Sequence, residues 1–104
     1  MYNADCRIAE PISAETGTDD LQRERSERLR PVQRCSLRRM SLRQEVAALG
    51  RVGVGTYVCR LQSDLDIGPG WRVHARIDGE KDWHYYVVLR AARTYHWNLT
   101  VERV

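Results

Sequence analysis

Three cysteines (Cys6, Cys35, Cys59) and three histidines (His74, His84, His96) are the side chains of this sequence best suited to holding a metal ion. Their spacing argues against that use. Zinc sites draw on close pairs such as C-x₂₋₄-C and H-x₃₋₅-H, and neither pair occurs here. A cysteine nucleophile needs a positioned base. Cys35 and Cys59 fall in strand-like stretches, where a buried thiol is the usual and inert case. No G-x-S-x-G is present, and GRVGVG at 50–55 lacks the Lys-Ser/Thr that completes a phosphate-binding loop. That stretch also leads toward a strand instead of opening a helix, so it reads as strand geometry. Asp64 and Asp66 stand together in a loop-like stretch with no partner acid. These residues predict no enzyme, no metal and no cofactor.

The arginines offer a different chemistry. The stretch from 23 to 43 contains Arg23, Arg25, Arg28, Arg30, Arg38 and Arg39, and a guanidinium fork matches phosphate oxygens. Glu24 and Glu27 interleave with them and would pair with Arg28 and with Arg23 or Arg25 on a helical turn. Arginine is also enriched at protein–protein contacts. No aromatic residue lies between Tyr2 and Tyr57, so base stacking within this stretch is excluded. The expectation is an interface role first and phosphate contact second. Tyr86 and Val88 are expected on an exposed face as a subunit contact, while Trp71, Trp83, Tyr85, Tyr95 and Trp97 are expected to share an inner, core-forming face.

The elements that position these residues are mostly strands. In WRVHARI at 71–77, Trp71, Val73, Ala75 and Ile77 alternate with Arg72, His74 and Arg76. Residues 94–104 repeat the pattern with Tyr95, Trp97, Leu99 and Val101. Both place their histidine (His74, His96) on the outward face. Residues 83–90 are apolar on both sides and rich in strand formers, which predicts a central strand or one whose outer face meets another subunit. The turn at 78–82 has Gly79 for a positive φ, and 90–94 makes a second tight connection. Residues 52–62 predict a further strand, broken by Gly-Pro-Gly at 68–70. Ala4, Cys6 and Ile8 alternate in a first strand ending near Pro11, and Cys35 and Leu37 point inward from a strand within 32–40. Residues 13–30 hold only two large apolar side chains, Leu21 and Leu29, and predict a long polar loop with a transient helix over 19–30. A short helix is expected at 42–49, capped by Ser41 and ended by Gly50. The fold class is therefore all-β: a small antiparallel barrel or sandwich forming one domain over 1–104, with loop 13–30 and the helix at 42–49.

Composition is consistent with this. A chain of 104 residues supports one core. No apolar run approaches the roughly 18 residues of a membrane helix, and the start has no signal-peptide pattern. An odd, widely spaced set of cysteines argues against a disulfide framework and for reduced thiols in a cytoplasmic setting. The net charge of +3 hides a segregation: residues 1–22 carry −4, 23–51 carry +6 and 52–104 carry +1. Such complementary segments let adjacent copies attract head to tail, and heterologous contacts of that kind close into rings.

The layout of a first strand, a polar loop, a second strand with a cysteine, and then YVCRLQSDLDIGPGWRVHARIDG at 57–79 and YYVVLRAARTYHWNLTVERV at 85–104 resembles the head-closure (stopper) or head–tail joining proteins of long-tailed bacteriophage necks. The resemblance covers about residues 50–104, and 1–49 by layout alone. It implies a barrel subunit in a homo-oligomeric ring between the portal or adaptor and the tail of a virion, made in the host bacterial cytoplasm. It also implies non-specific DNA contact in the channel and no membrane. The alternative expectation is a small β-barrel nucleic-acid-binding module using the Arg-rich 23–43 segment, and a weaker one is a small cytoplasmic enzyme or toxin.

Overall fold

The computed structural model describes residues 1–12, 27–41, 43 and 55–104. They form seven strands: β1 (Ala4–Pro11), β2 (Glu27–Leu29), β3 (Gln33–Arg39), β4 (Thr56–Leu61), β5 (Arg72–Ile77), β6 (His84–Arg93) and β7 (Trp97–Arg103). The order is β2-β1-β3-β4-β7-β6-β5, and β1 also pairs with β5. Six strands thus close into an antiparallel barrel, and β2 is an extra strand laid against the end of β1. Closure removes the open edges that a small sheet would otherwise expose.

The alternation read from the sequence sets most of the interior. Ala4, Cys6 and Ile8 of β1, Cys35 and Leu37 of β3, Val73 and Ala75 of β5, and Trp97, Leu99 and Val101 of β7 are buried together. Their neighbours Asp5, Arg7, Arg72, His74 and Arg76 remain partly solvated on the outside, as period-two geometry demands. Gly79 turns the β5–β6 connection at φ +95°, a conformation that costs an L side chain strain.

Several expectations are corrected. Tyr86 and Val88 point inward and are 2% and 1% exposed. Residues 83–90 are apolar on both faces, so periodicity alone does not choose a face. The register chooses it: Tyr86 lies opposite Val73, and Val88 opposite Val101. Tyr85 is consequently half exposed, and Trp83 lies outside the core cluster. Trp71 only packs partly against the core, which leaves Trp97 as the buried member of the expected aromatic set. The last tight connection is 94–96, not 90–94, because β6 continues past a bulge between Val88 and Arg90 to pair Arg93 with Trp97. Tyr95 then falls in the turn and is 94% exposed.

The polar stretch 13–30 also ends differently from expectation. Residues 27–29 are extended and pair with β1, Leu29 opposite Ala9 and Glu27 opposite Pro11. The Arg30 amide donates to the Ile8 carbonyl at 2.8 Å. Backbone pairing supplies what the stretch lacks in apolar side chains. The rest of the loop, 13–26, lies outside the described residues, as does the helix expected at 42–49 apart from Arg43.

Candidate functional site

Arginines decorate the whole barrel, but they fall into two electrostatic classes. Around β1, β2 and β5 they meet carboxylates. Arg30 donates through Nε and Nη2 to Glu10 at 3.0 and 2.6 Å. Arg34 forks onto both oxygens of Asp78 at 2.6 and 2.7 Å and also reaches Asp5 at 2.8 Å. Arg76 approaches Asp5 at 3.4 Å and Arg72 approaches Glu27 at 3.5 Å. The Arg34 guanidinium holds the carboxyls of Asp5 and Asp78 below their ordinary value and is itself pushed further up. Such solvent-screened pairs fix side-chain positions more than they stabilise the fold.

On β3, β4 and β7 the pattern changes. Arg38 and Arg60 are exposed, and no carboxylate pairs with either among the described residues. Arg60 donates instead to the Asn98 side-chain oxygen at 2.9 Å. The next outward row holds Gln62 and His96, linked at 3.0 Å. The register explains the grouping: Ser36 is opposite Arg60, and Arg60 is opposite Asn98. Ser36, Arg38, Arg60 and His96 line a concavity of about 240 Å³. A second concavity of about 190 Å³ lies on the far side of His96 and is lined by Asp64, Arg93 and Tyr95. His96 lines both, so the track they make is two concavities flanking one side chain.

Of the arginines expected to make contacts, Arg23 and Arg25 lie outside the described residues. Arg28 is exposed on β2, Arg30 is committed to Glu10, and Arg38 and Arg39 are exposed on β3. Tyr86 and Val88 are core residues, so neither side chain is available to another subunit. Burial pushes the Tyr86 phenol up to about 12, and its ring packs edge-on against Tyr57 at 5.3 Å.

Sequence reading missed the cation–aromatic cluster outside β1 and β5. Arg7 and Arg76 both lie over the Trp83 ring, at 4.6 and 4.8 Å from its centre. Arg7 also donates from Nε to His74 Nδ1 at 3.4 Å, and His74 meets the Tyr85 ring edge-on at 4.5 Å. Burial, then the Arg7 charge, lowers the His74 pKa and keeps the imidazole neutral. The signal was present in part: Arg72, His74 and Arg76 occupy the outward positions of an alternating strand.

The cysteines form a second unforeseen group. Cys6, Cys35 and Cys59 come from β1, β3 and β4, and all are fully buried free thiols. Clustered beside Cys35 and buried, Cys6 and Cys59 are pushed above the ordinary thiol value. Among the described residues no three His, Cys, Asp or Glu side chains are arranged to hold a metal ion. Sealed from solvent, the thiols act as small core side chains.

No protein-family model, curated protein or solved structure matches this chain.

Proposed function

We propose that this chain is a structural subunit of a bacteriophage neck, assembling into a homo-oligomeric ring that joins the portal or adaptor to the tail and helps to retain or pass DNA. The subunit is made in the host bacterial cytoplasm and ends in the virion, and it performs no chemistry of its own. The observation that carries the reading is the composition of one rim of the barrel. Ile12, Leu29 and Val32 are 44%, 49% and 54% exposed at the end of β1 and along the β2–β3 connection. Among the described residues β2 pairs with β1 alone. A short strand whose second edge is unpaired among the described residues, beside solvent-facing apolar side chains, is suited to receiving a neighbouring subunit. Arg28 on β2 brings positive charge to the same rim, against the acidic balance of residues 1–22. The layout over 50–104 adds the resemblance to head-closure proteins.

Light scattering after size exclusion tests the assembly. The expected result is a ring-sized particle at low salt that shrinks as salt screens the segregated charges over a Debye length of about 10 Å at 0.1 M. Leu29→Asp combined with Val32→Asp should yield monomer at every salt concentration. A salt-independent monomer at high concentration that also ignores purified portal and tail proteins would overturn the proposal.

A further inference from the structure

We infer that the track across β3, β4 and β7 binds single-stranded nucleic acid, with phosphates on Arg38, Arg60 and Arg93 and a base stacked on Tyr95. This does not rest on ring assembly, since a monomeric barrel carries the same track.

The first reason is charge. Strands β3, β4, β6 and β7 contain seven arginines, of which Arg34 is paired with Asp5 and Asp78, and one acidic residue, Glu102. Glu102 lies opposite Thr56, two rows from the Arg60–Asn98 pair. The ion pairs among described residues use carboxylates on β1, on β2 or in the β5–β6 turn. None of them involves Arg38, Arg60 or Arg93. Arg60 meets only the neutral Asn98 oxygen through Nε, and Arg93 lies over the Trp97 ring at 5.6 Å, so neither charge is neutralised and both remain able to meet a phosphate. Asp64 is the acidic residue lining the track, against three arginines.

The second reason is the aromatic ring. Tyr95 is 94% exposed in the 94–96 turn, closed by the Thr94 amide on the His96 carbonyl at 3.0 Å. A large ring held almost entirely in water by a short, hydrogen-bonded turn offers a preset stacking platform. The fold removes the objection that the arginine stretch has no aromatic partner. Arg38 and Tyr95 are far apart in sequence, but the β3–β4–β7 order puts them in two concavities that flank His96.

The occupant follows from combining the two. A duplex keeps its bases stacked inside and would use the arginines but not the tyrosine. A single strand uses both, because its bases are free to leave the backbone line and lie on a ring. The side chains between the charged groups, Ser36, Gln62 and Asn98, are polar and neutral, and they suit backbone contact without sequence readout.

Fluorescence anisotropy with a labelled oligo-dT of about twelve nucleotides tests the site on the whole chain. Binding is expected at low salt. The double variant Arg38→Gln, Arg60→Gln should reduce the salt slope by about 1.4, since each phosphate neutralised on a single strand contributes roughly 0.7. Tyr95→Ala, at an almost fully exposed position that the fold does not need, should weaken binding roughly 5- to 150-fold with the salt slope unchanged. Lys81→Gln, in the β5–β6 turn away from the track, controls for net charge and should have no more than a small effect. No binding at low salt, an equal loss from Lys81→Gln, or indifference to Tyr95→Ala would each overturn the inference. Equal affinity for a duplex of the same length would overturn it as well.

Discussion

Val88 and Val87 are neighbours on β6, and their different fates make the inward phase of this strand measurable. Val88 is 1% exposed and lies beside Val101 on the paired strand β7, whereas Val87 is only partly covered. Val88→Ala removes two buried carbons, worth about 1.6 kcal/mol at roughly 0.8 kcal/mol each. A closed barrel relaxes little around the gap, so a cavity term brings the loss to about 2–3 kcal/mol. A domain of this size has about 5–15 kcal/mol in total, so the variant should remain folded but melt roughly 10 °C lower or more. Val87→Ala, on the outer face, should cost about 0.5–1 kcal/mol through strand propensity alone. Urea unfolding followed by the fluorescence of the three tryptophans reads both, with an unchanged m-value expected. Equal losses, or a larger loss at Val87, would refute the inward assignment of Val88 and with it the register against β7.

Three further outcomes follow from the described geometry. Asp5 and Asp78 ionise more readily when folded because Arg34 sits on them; their contribution is present above the unfolded carboxyl value of about 4 and is lost as pH falls through the lowered values. Arg34→Gln should therefore flatten the fall in urea midpoint between pH 7 and pH 3, and an unchanged fall would contradict the pairing. His74 is held neutral by burial and by Arg7, so stability should decline as pH drops below the unfolded imidazole value of about 6.5; Arg7→Gln should raise the His74 pKa in an NMR titration, and no movement would count against the contact. The three core thiols should ignore a thiol-specific disulfide reagent in the native protein and all react in denaturant, so rapid labelling of folded protein would contradict their burial.

The strands with one apolar face were legible because alternation encodes burial directly. Ala4, Cys6 and Ile8 in β1, Cys35 and Leu37 in β3, and Val73 and Ala75 in β5 needed no partner to reveal their side. Strand β2 was not legible, since Glu27–Leu29 is held by the β1 backbone and by the Arg30–Glu10 pair, neither of which leaves a local hydrophobic pattern. The phase of β6 was hidden for the opposite reason, apolar residues on both sides. Arg38 and Arg39 stood out in a basic run, but their surroundings did not. Arg60 and Tyr95 join the Arg38 surface only through the order β3-β4-β7, and long-range adjacency has no signature in a single sequence. The Trp83–Arg7–Arg76 cluster was lost in the same way, with its members spread over three parts of the chain.

The seam between β1 and β5 has a kinetic consequence. It joins Ala4 to Ile77 and Ala9 to Arg72, residues roughly sixty to seventy positions apart. Contacts that distant slow folding, because the chain must be ordered between them before they contribute. On a ribosome adding about 5–20 residues per second, β1 waits several seconds for its β5 partner to be made. Until then the wall is an open sheet whose bare edges can capture a second nascent chain. A chain shortened to begin after Pro11 would keep β3-β4-β7-β6-β5 in that state permanently. Its expected fate is edge-to-edge aggregation, not a looser barrel, so the first strand acts as the latch that makes the finished molecule safe in a crowded cell.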